Sequence, residues 1–419
     1  MGNKRFSARF HCIVAVIFLG LAMASNFAQA QTYSVLHTFT NWPDGAGPNA
    51  LMMGANGVMY GTTQGGGNHC ESGGCGTVYS IDSSGNETVL YRFTEGNDGA
   101  DPVAPLIQDA AGNLYGSTLG DGFLDAPSTV FKVDANGNET TLYAFTSGDT
   151  GCCQDSPLAI DKAGNLYGMS PYSGDYSCGY EELGCGSLYR LTQAGKITVL
   201  HTFTGADGID PEGGLVVDVD GNLYGTAING GILTCYTPGG QRYRITQGCG
   251  TIYKLDSKGK FTVLYEFTGG ADGSAPLGLV QDAKGNLYGI AAYGGNSKPP
   301  CLEDAYGCGT IFKVDPQGKF SVLYRFTVAI SQPDFNNHLL LSPQGNLYGS
   351  NGIGGANNTG FIFEVSPSGF SIVASFPSDV NREWGIFPQG VVMDSSGNFY
   401  GTMQADGADL EGTVFKVSF

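Results

Sequence analysis

Gly112-Asn113-Leu114-Tyr115-Gly116 recurs unchanged at residues 164–168, 221–225, 285–289 and 345–349. Two altered copies read Gly57-Val58-Met59-Tyr60-Gly61 and Gly397-Asn398-Phe399-Tyr400-Gly401, which makes seven. From Tyr60 to Tyr400 is 340 residues over six intervals, a mean period near 57. That is longer than a typical WD repeat and close to the kelch length of about 50. Repeats of this length stack because one unit alone is too small to bury its apolar faces.

Each copy sits among three other recurring segments. A Gly-Thr-Val-Tyr/Phe segment stands at 76–79, 128–131, 186–189, 250–253, 309–312, 360–363 and 412–415. A segment like Thr88-Val89-Leu90-Tyr91-Arg92-Phe93-Thr94 alternates polar and apolar residues, as a half-buried strand does. An apolar run such as Leu215-Val216-Val217 precedes each Asn-Leu-Tyr core. Turns of the form Asp-x-x-Gly join these segments, at 109–112, 161–164, 282–285 and 394–397 and again at 82–85, 134–137, 256–259 and 315–318. Asp bonds its own turn there, and Gly accepts positive φ. Four short strands per unit, seven times over, predict an all-β seven-bladed β-propeller with four antiparallel strands per blade. The last unit ends at its third strand (412–417), while Tyr33 to Thr40 is an isolated fourth strand. The N-terminal strand is therefore expected to complete the last blade and close the ring.

Composition agrees. Gly and Pro make up 85 of 419 residues (67 + 18), below the share that marks low-complexity disorder, and aromatics reach 11%. Residues 1–30 read as a signal peptide: Lys4, Arg5 and Arg9, an apolar stretch from Cys12 to Ala24, then Ala28-Gln29-Ala30 as a cleavage site. The mature chain, 31–419, is expected to be a single propeller domain, secreted or periplasmic, without a membrane span and monomeric. Its formal charge would be −18 − 3 = −21, which repels phosphate backbones and argues against nucleic acid.

Removing Cys12 leaves ten cysteines, eight of them in close pairs: Cys70/Cys75, Cys178/Cys185, Cys235/Cys249 and Cys301/Cys308. None has Cys-x-x-Cys spacing, so local disulfides are expected in preference to a metal site. Cys152 and Cys153 remain, adjacent in a blade-linking loop and counted with the disulfide cysteines, their pairing open.

These units, with Gly-Asn-Leu-Tyr-Gly, then Cys-Gly-Thr-Val-Tyr, then Val-Leu-Tyr-x-Phe-Thr-x-x-x-Asp-Gly-x-x-Pro, resemble the tandem repeats of exported bacterial GloVer repeat proteins. The resemblance covers almost all of residues 33–419 and implies a propeller-forming repeat; it brings no activity that can be carried to particular residues. The Asn-Leu-Tyr strand is also similar to strands of NHL-type and gluconolactonase-like propellers.

Catalytic signatures are missing: there is no His-Glu-x-x-His, no Gly-x-Ser-x-Gly and no Asp box. No cofactor or metal is implied. His37 and His201 occupy positions held by Tyr in other units and read as wall residues, while His69 and His338 have no identifiable partner in sequence. The run Asp218-Val219-Asp220 lacks the length and terminal acid of a calcium loop and reads as a turn. The blade-linking Asp44, Asp98, Asp207 and Asp272 either ring the central funnel for a cation or simply make Asp-Gly turns. Variation gathers in the second-to-third-strand loops and the blade-linking loops, which share one face of a propeller. Candidate ligand residues there are Trp42, Trp384, Arg382, Glu383, Tyr236 and Tyr243. The two tryptophans either stack on a sugar ring or pack the seam of the ring. The expectation is a binding module for glycans or surface proteins, with no catalytic residue assigned; the alternatives are a hydrolase or lyase with acids in the funnel, and a purely structural surface module.

Overall fold

The fold is given by a computed structural model, which describes residues 31–70, 74–120, 127–145, 156–174, 184–232, 235, 248–296, 301, 307–327, 339–377, 388–405 and 411–419. Seven antiparallel sheets follow one another, and none of the described residues is helical. The repeat explains each sheet. In blade 2 the inner strand Ile107–Gln108 pairs with Leu114–Thr118, which carries the Asn-Leu-Tyr core. The third strand, Thr129–Val133, and the outer strand, Glu139–Ala144, follow in order. In blade 1 the inner strand is broken into Ala46–Pro48 and Met52–Met53, both paired with Met59–Gly65.

Blade 7 takes its outer strand from the other end of the chain. Thr32–Thr38 pairs with Thr413–Ser418, with Tyr33 opposite Val417 and Thr38 opposite Thr413. Phe39, fully buried, then enters a cluster with Leu51, Tyr79, Tyr400 and Val414, in which blades 1 and 7 share one core.

The Asp-x-x-Gly-Asn turns are hydrogen-bond hubs. Asp282 accepts from the backbone N–H of Lys284 and Asn286, from Asn286 Nδ2 at 2.7 Å and from Tyr288 Oη at 3.0 Å. Asp109, Asp161, Asp218 and Asp394 repeat the pattern. Burial pushes each of these carboxyls up, but the donated hydrogen bonds outweigh it and hold them below the ordinary value. Burial and the same Asp282 bond push the Tyr288 hydroxyl up to about 12. A lysine from the third strand lies over the tyrosine ring, Lys313 Nζ 5.6 Å from the Tyr288 centroid and Lys254 Nζ 5.3 Å from that of Tyr224. Blade 6 breaks the rule twice and repairs it. Ser342 stands where the turn Asp should be, and Glu364 stands where the lysine should be. Glu364 Oε1 then accepts from Asn346 Nδ2 at 2.7 Å and from Tyr348 Oη at 2.8 Å, so the anion returns from the neighbouring strand.

Neighbouring blades lock at the outer strands. Tyr265 lies flat on Phe320 at 3.8 Å, Tyr324 on Phe370 at 3.9 Å, and His201 on Phe261 at 3.6 Å. Phe261 and Phe320 open their outer strands opposite the last residue of the third strand, and Phe370 stands one position further in, opposite Val365. In blade 1 that register position, opposite Ile81, is Glu87. Burial, with the charge of Asp44 adding to it against Arg92, raises the Glu87 carboxyl from 4.5 to about 7. Because the folded value lies above the unfolded one, Glu87 contributes stability in full below about pH 4.5 and loses it as pH rises through about 7. Glu87→Gln should therefore leave the urea midpoint unchanged at about pH 4. At about pH 8 it should raise stability by roughly 1 kcal/mol or less, since Glu87 is only half-buried and solvent screens its charge. An equal gain at both pH values would assign the effect to packing instead of ionisation.

Candidate functional site

In three blades the second-to-third-strand loop rises from a common stem. In blade 1 it reads Gly66-Gly67 on one side and Gly74-Cys75-Gly76 on the other, with Gly66 and Gly74 bridged in parallel. Gly230 with Gly248 and Gly294 with Gly307 form the same bridge in blades 4 and 5. A Cβ on Gly74 would run into the Gly66 backbone, and both residues have positive φ, so only glycine lets the two chains meet. Disulfides Cys70–Cys75, Cys235–Cys249 and Cys301–Cys308 join the loops to these stems, with Cα atoms 5.7, 5.2 and 5.1 Å apart. Cys185 is disulfide-bonded as well; Cys178, Cys152 and Cys153 lie outside the described residues. Cys75, Cys185, Cys249 and Cys308 are all fully buried. In blades 1, 4 and 5 the stem is the same, and the segment it carries differs in sequence.

The blade-linking turns dock against the stems. Gly67 N donates to Asn41 O at 2.9 Å, and Gly231 N to Gly205 O at 2.9 Å. Within each turn the aspartate is fully engaged. Asp98 accepts from Thr94 N, Thr94 Oγ1, Gly96 N and Tyr91 Oη, and Asp272 from Thr268 N, Thr268 Oγ1 and Tyr265 Oη. His replaces Tyr twice: His37 Nε2 is 3.1 Å from Asp44 Oδ2, and His201 Nε2 is 2.9 Å from Asp207 Oδ2. The histidines read from sequence as wall residues are thus hydrogen-bond partners of the turn aspartates. The turn carbonyls then accept from the threonine of the next third strand, Thr77 Oγ1 to Asp44 O and Thr310 Oγ1 to Asp272 O. These four aspartates hold the blade-linking turns.

On this face, in the first blade-linking turn, Trp42 stacks on His69, ring centroids 3.9 Å apart at 23°. Trp42 is half-buried and His69 exposed. His69 has a partner after all, one that no local sequence signal showed, because it comes from a separate loop. Arg92 Nε donates to Pro43 O at 2.9 Å beside them, and the disulfide Cys70–Cys75 anchors the His69 loop.

Where the inner strands converge, a cavity of about 410 Å³ is lined by every blade, including Met52, Ile107, Pro157, Leu215, Leu279, Leu340 and Met393. Its described lining consists of Leu, Ile, Val, Met, Pro and Gly, with no titratable side chain. The acids expected there by the hydrolase or lyase alternative are not among the described lining residues.

The sequence profile of the Gloeobacter/Verrucomicrobia repeat matches residues 22–238, 179–302 and 238–419. The chain belongs to the Gloeobacter/Verrucomicrobia repeat family. No functionally curated protein matches it. Among solved structures it is similar to a fungal alcohol oxidase of the AA5 family in complex with copper, at 11% identity and a TM-score of 0.55, covering 92% of this chain and 75% of that one. It is also similar to a luciferin-regenerating enzyme (13%, TM-score 0.44, covering 93% and 96%) and to a gluconolactonase from Xanthomonas campestris (14%, TM-score 0.43, covering 77% and 88%). At 11% identity the likeness to the alcohol oxidase is one of fold alone. Of the ligand residues expected from sequence, Trp42 is placed on the loop face of this Gloeobacter/Verrucomicrobia repeat propeller. Trp384, Arg382, Glu383, Tyr236 and Tyr243 lie outside the described residues, as does His338.

Proposed function

We propose that this propeller is a binding module that engages a glycan or a surface protein through its loop-bearing face. The observation that carries the reading is the shared stem: a glycine bridge recurs in blades 1, 4 and 5 and a buried cysteine in blades 1, 3, 4 and 5, while the segments they present differ in sequence. A rigid scaffold with divergent loops on one face is how recognition is built on a repeat fold. Bridged cysteines fit an oxidising compartment, and with residues 1–30 as a signal peptide the module would be secreted or periplasmic. Trp42 supplies a flat apolar face with polar neighbours in His69 and Arg92, a combination suited to stacking on a sugar ring.

A glycan array with the purified protein tests the reading. Trp42→Ala should weaken the array hit by roughly 1–3 kcal/mol, as loss of a binding hot spot does. Its stability cost should stay near the ~0.5–1.5 kcal/mol of an aromatic pair. A cost of about 3–5 kcal/mol with affinity unchanged would place Trp42 in the seam instead.

A further inference from the structure

The central cavity does not share the chemistry of the loop face. We propose that it is a second binding site, for a small uncharged ligand with an aliphatic chain. Three observations lead there. The lining is drawn from all seven blades, so the space lies where they converge and suits an elongated molecule along that axis. Its volume, about 410 Å³, falls within the ~300–1,000 Å³ of small-molecule sites and is too small for a folded partner.

The lining side chains are the third. Met52, Leu215, Leu340, Val392 and Met393 line the space and are each only partly buried, so apolar surface faces it on several sides. Covering that surface is favourable in proportion to its area. No described lining side chain offers a hydrogen bond, which disfavours a sugar, and none of them is cationic, which disfavours a carboxylate or phosphate headgroup. None of the described lining residues is aromatic, so flat ligands gain no stacking partner among them. Methionine, unbranched and polarizable, adapts to a chain of variable shape, and it stands at Met52, Met53 and Met393.

The test is uptake of the neutral dye N-phenyl-1-naphthylamine by the purified protein, followed by displacement. Saturable one-site fluorescence enhancement is expected, reversed by 1-decanol at a concentration at least tenfold lower than by decanoate. Met393→Trp, which fills the cavity, should weaken dye binding at least tenfold, and Met52→Gln, which keeps side-chain length but adds a polar end, about threefold or more. The two positions lie in different blades, and a thermal transition within a few degrees of the parent identifies which variant is folded and informative. Non-saturable uptake, equal displacement by decanoate, or unchanged affinity in a folded variant would each overturn the assignment.

Discussion

Removing residues 31–40 is expected to destabilise the protein by more than about 5 kcal/mol and to make it self-associate. The deletion takes away the whole outer strand of blade 7, together with Tyr33, stacked 5.7 Å from Phe415 and edge-on to Phe376 at 6.3 Å. It also removes Phe39, whose ring meets Tyr79 at 5.1 Å in the core shared by blades 1 and 7 and whose N–H donates to Gly412 O at 3.0 Å. Truncating one buried Phe costs about 3–5 kcal/mol, so Phe39→Ala alone should give the lower bound. The deletion adds an unpaired edge along Thr413–Ser418, a template for another chain. Calorimetry and size-exclusion chromatography read the two effects, and a synthetic 31–40 peptide should restore part of the lost stability. If the thermal transition of the truncated protein matched the parent's, the seam would carry no stability and the ring would owe nothing to its terminal strand.

The strands were legible because the repeat writes each of them seven times, and the turns because Asp and Gly stand at fixed offsets. What the repeat could not show is which turn residues act together. Tyr91 and Asp98, or His37 and Asp44, read as a strand residue and a turn residue; in the fold they are one hydrogen-bonded unit, since the outer strand hands the chain straight into the turn. Ser342 looks like a defect until strand pairing places Glu364 opposite Tyr348. The apolar lining of the central cavity escaped for a related reason. An apolar run such as Leu215-Val216-Val217 announces a buried strand, yet periodicity does not say whether its partners are the same blade or six others. The stacking of Trp42 on His69 depends on two loops meeting, which local patterns do not encode.

Gly225→Ala should cost about 3 kcal/mol, the upper end of the ~1–3 kcal/mol typical of overpacking. Gly225 is the last residue of the Gly-Asn-Leu-Tyr-Gly core, and its requirement is space, since its φ is not in the positive range. An added Cβ would lie 2.6 Å from Tyr253 Cζ and 2.9 Å from Leu215 Cδ2, with the Tyr253 hydroxyl also in its way. The tyrosine cannot retreat. Its ring is fully buried between Phe203, edge-on at 5.2 Å, and Phe261, stacked at 5.3 Å, and its hydroxyl donates to Met169 Sδ at 3.1 Å in the adjoining blade. Leu215 has somewhere to go only by moving toward the central cavity it already lines. Tyr253→Leu removes the obstruction while leaving a void, so by itself it should cost several kcal/mol. In the double variant the added methyl occupies part of that void, and the two penalties should sum to about 1 kcal/mol or more above the measured total. Strict additivity in denaturant melts would mean that the glycine is required by something other than the ring above it. The same contact recurs where Gly116 meets Phe131 and Gly289 meets Phe312, so one steric constraint, repeated around the ring, accounts for the glycine that closes each Asn-Leu-Tyr core.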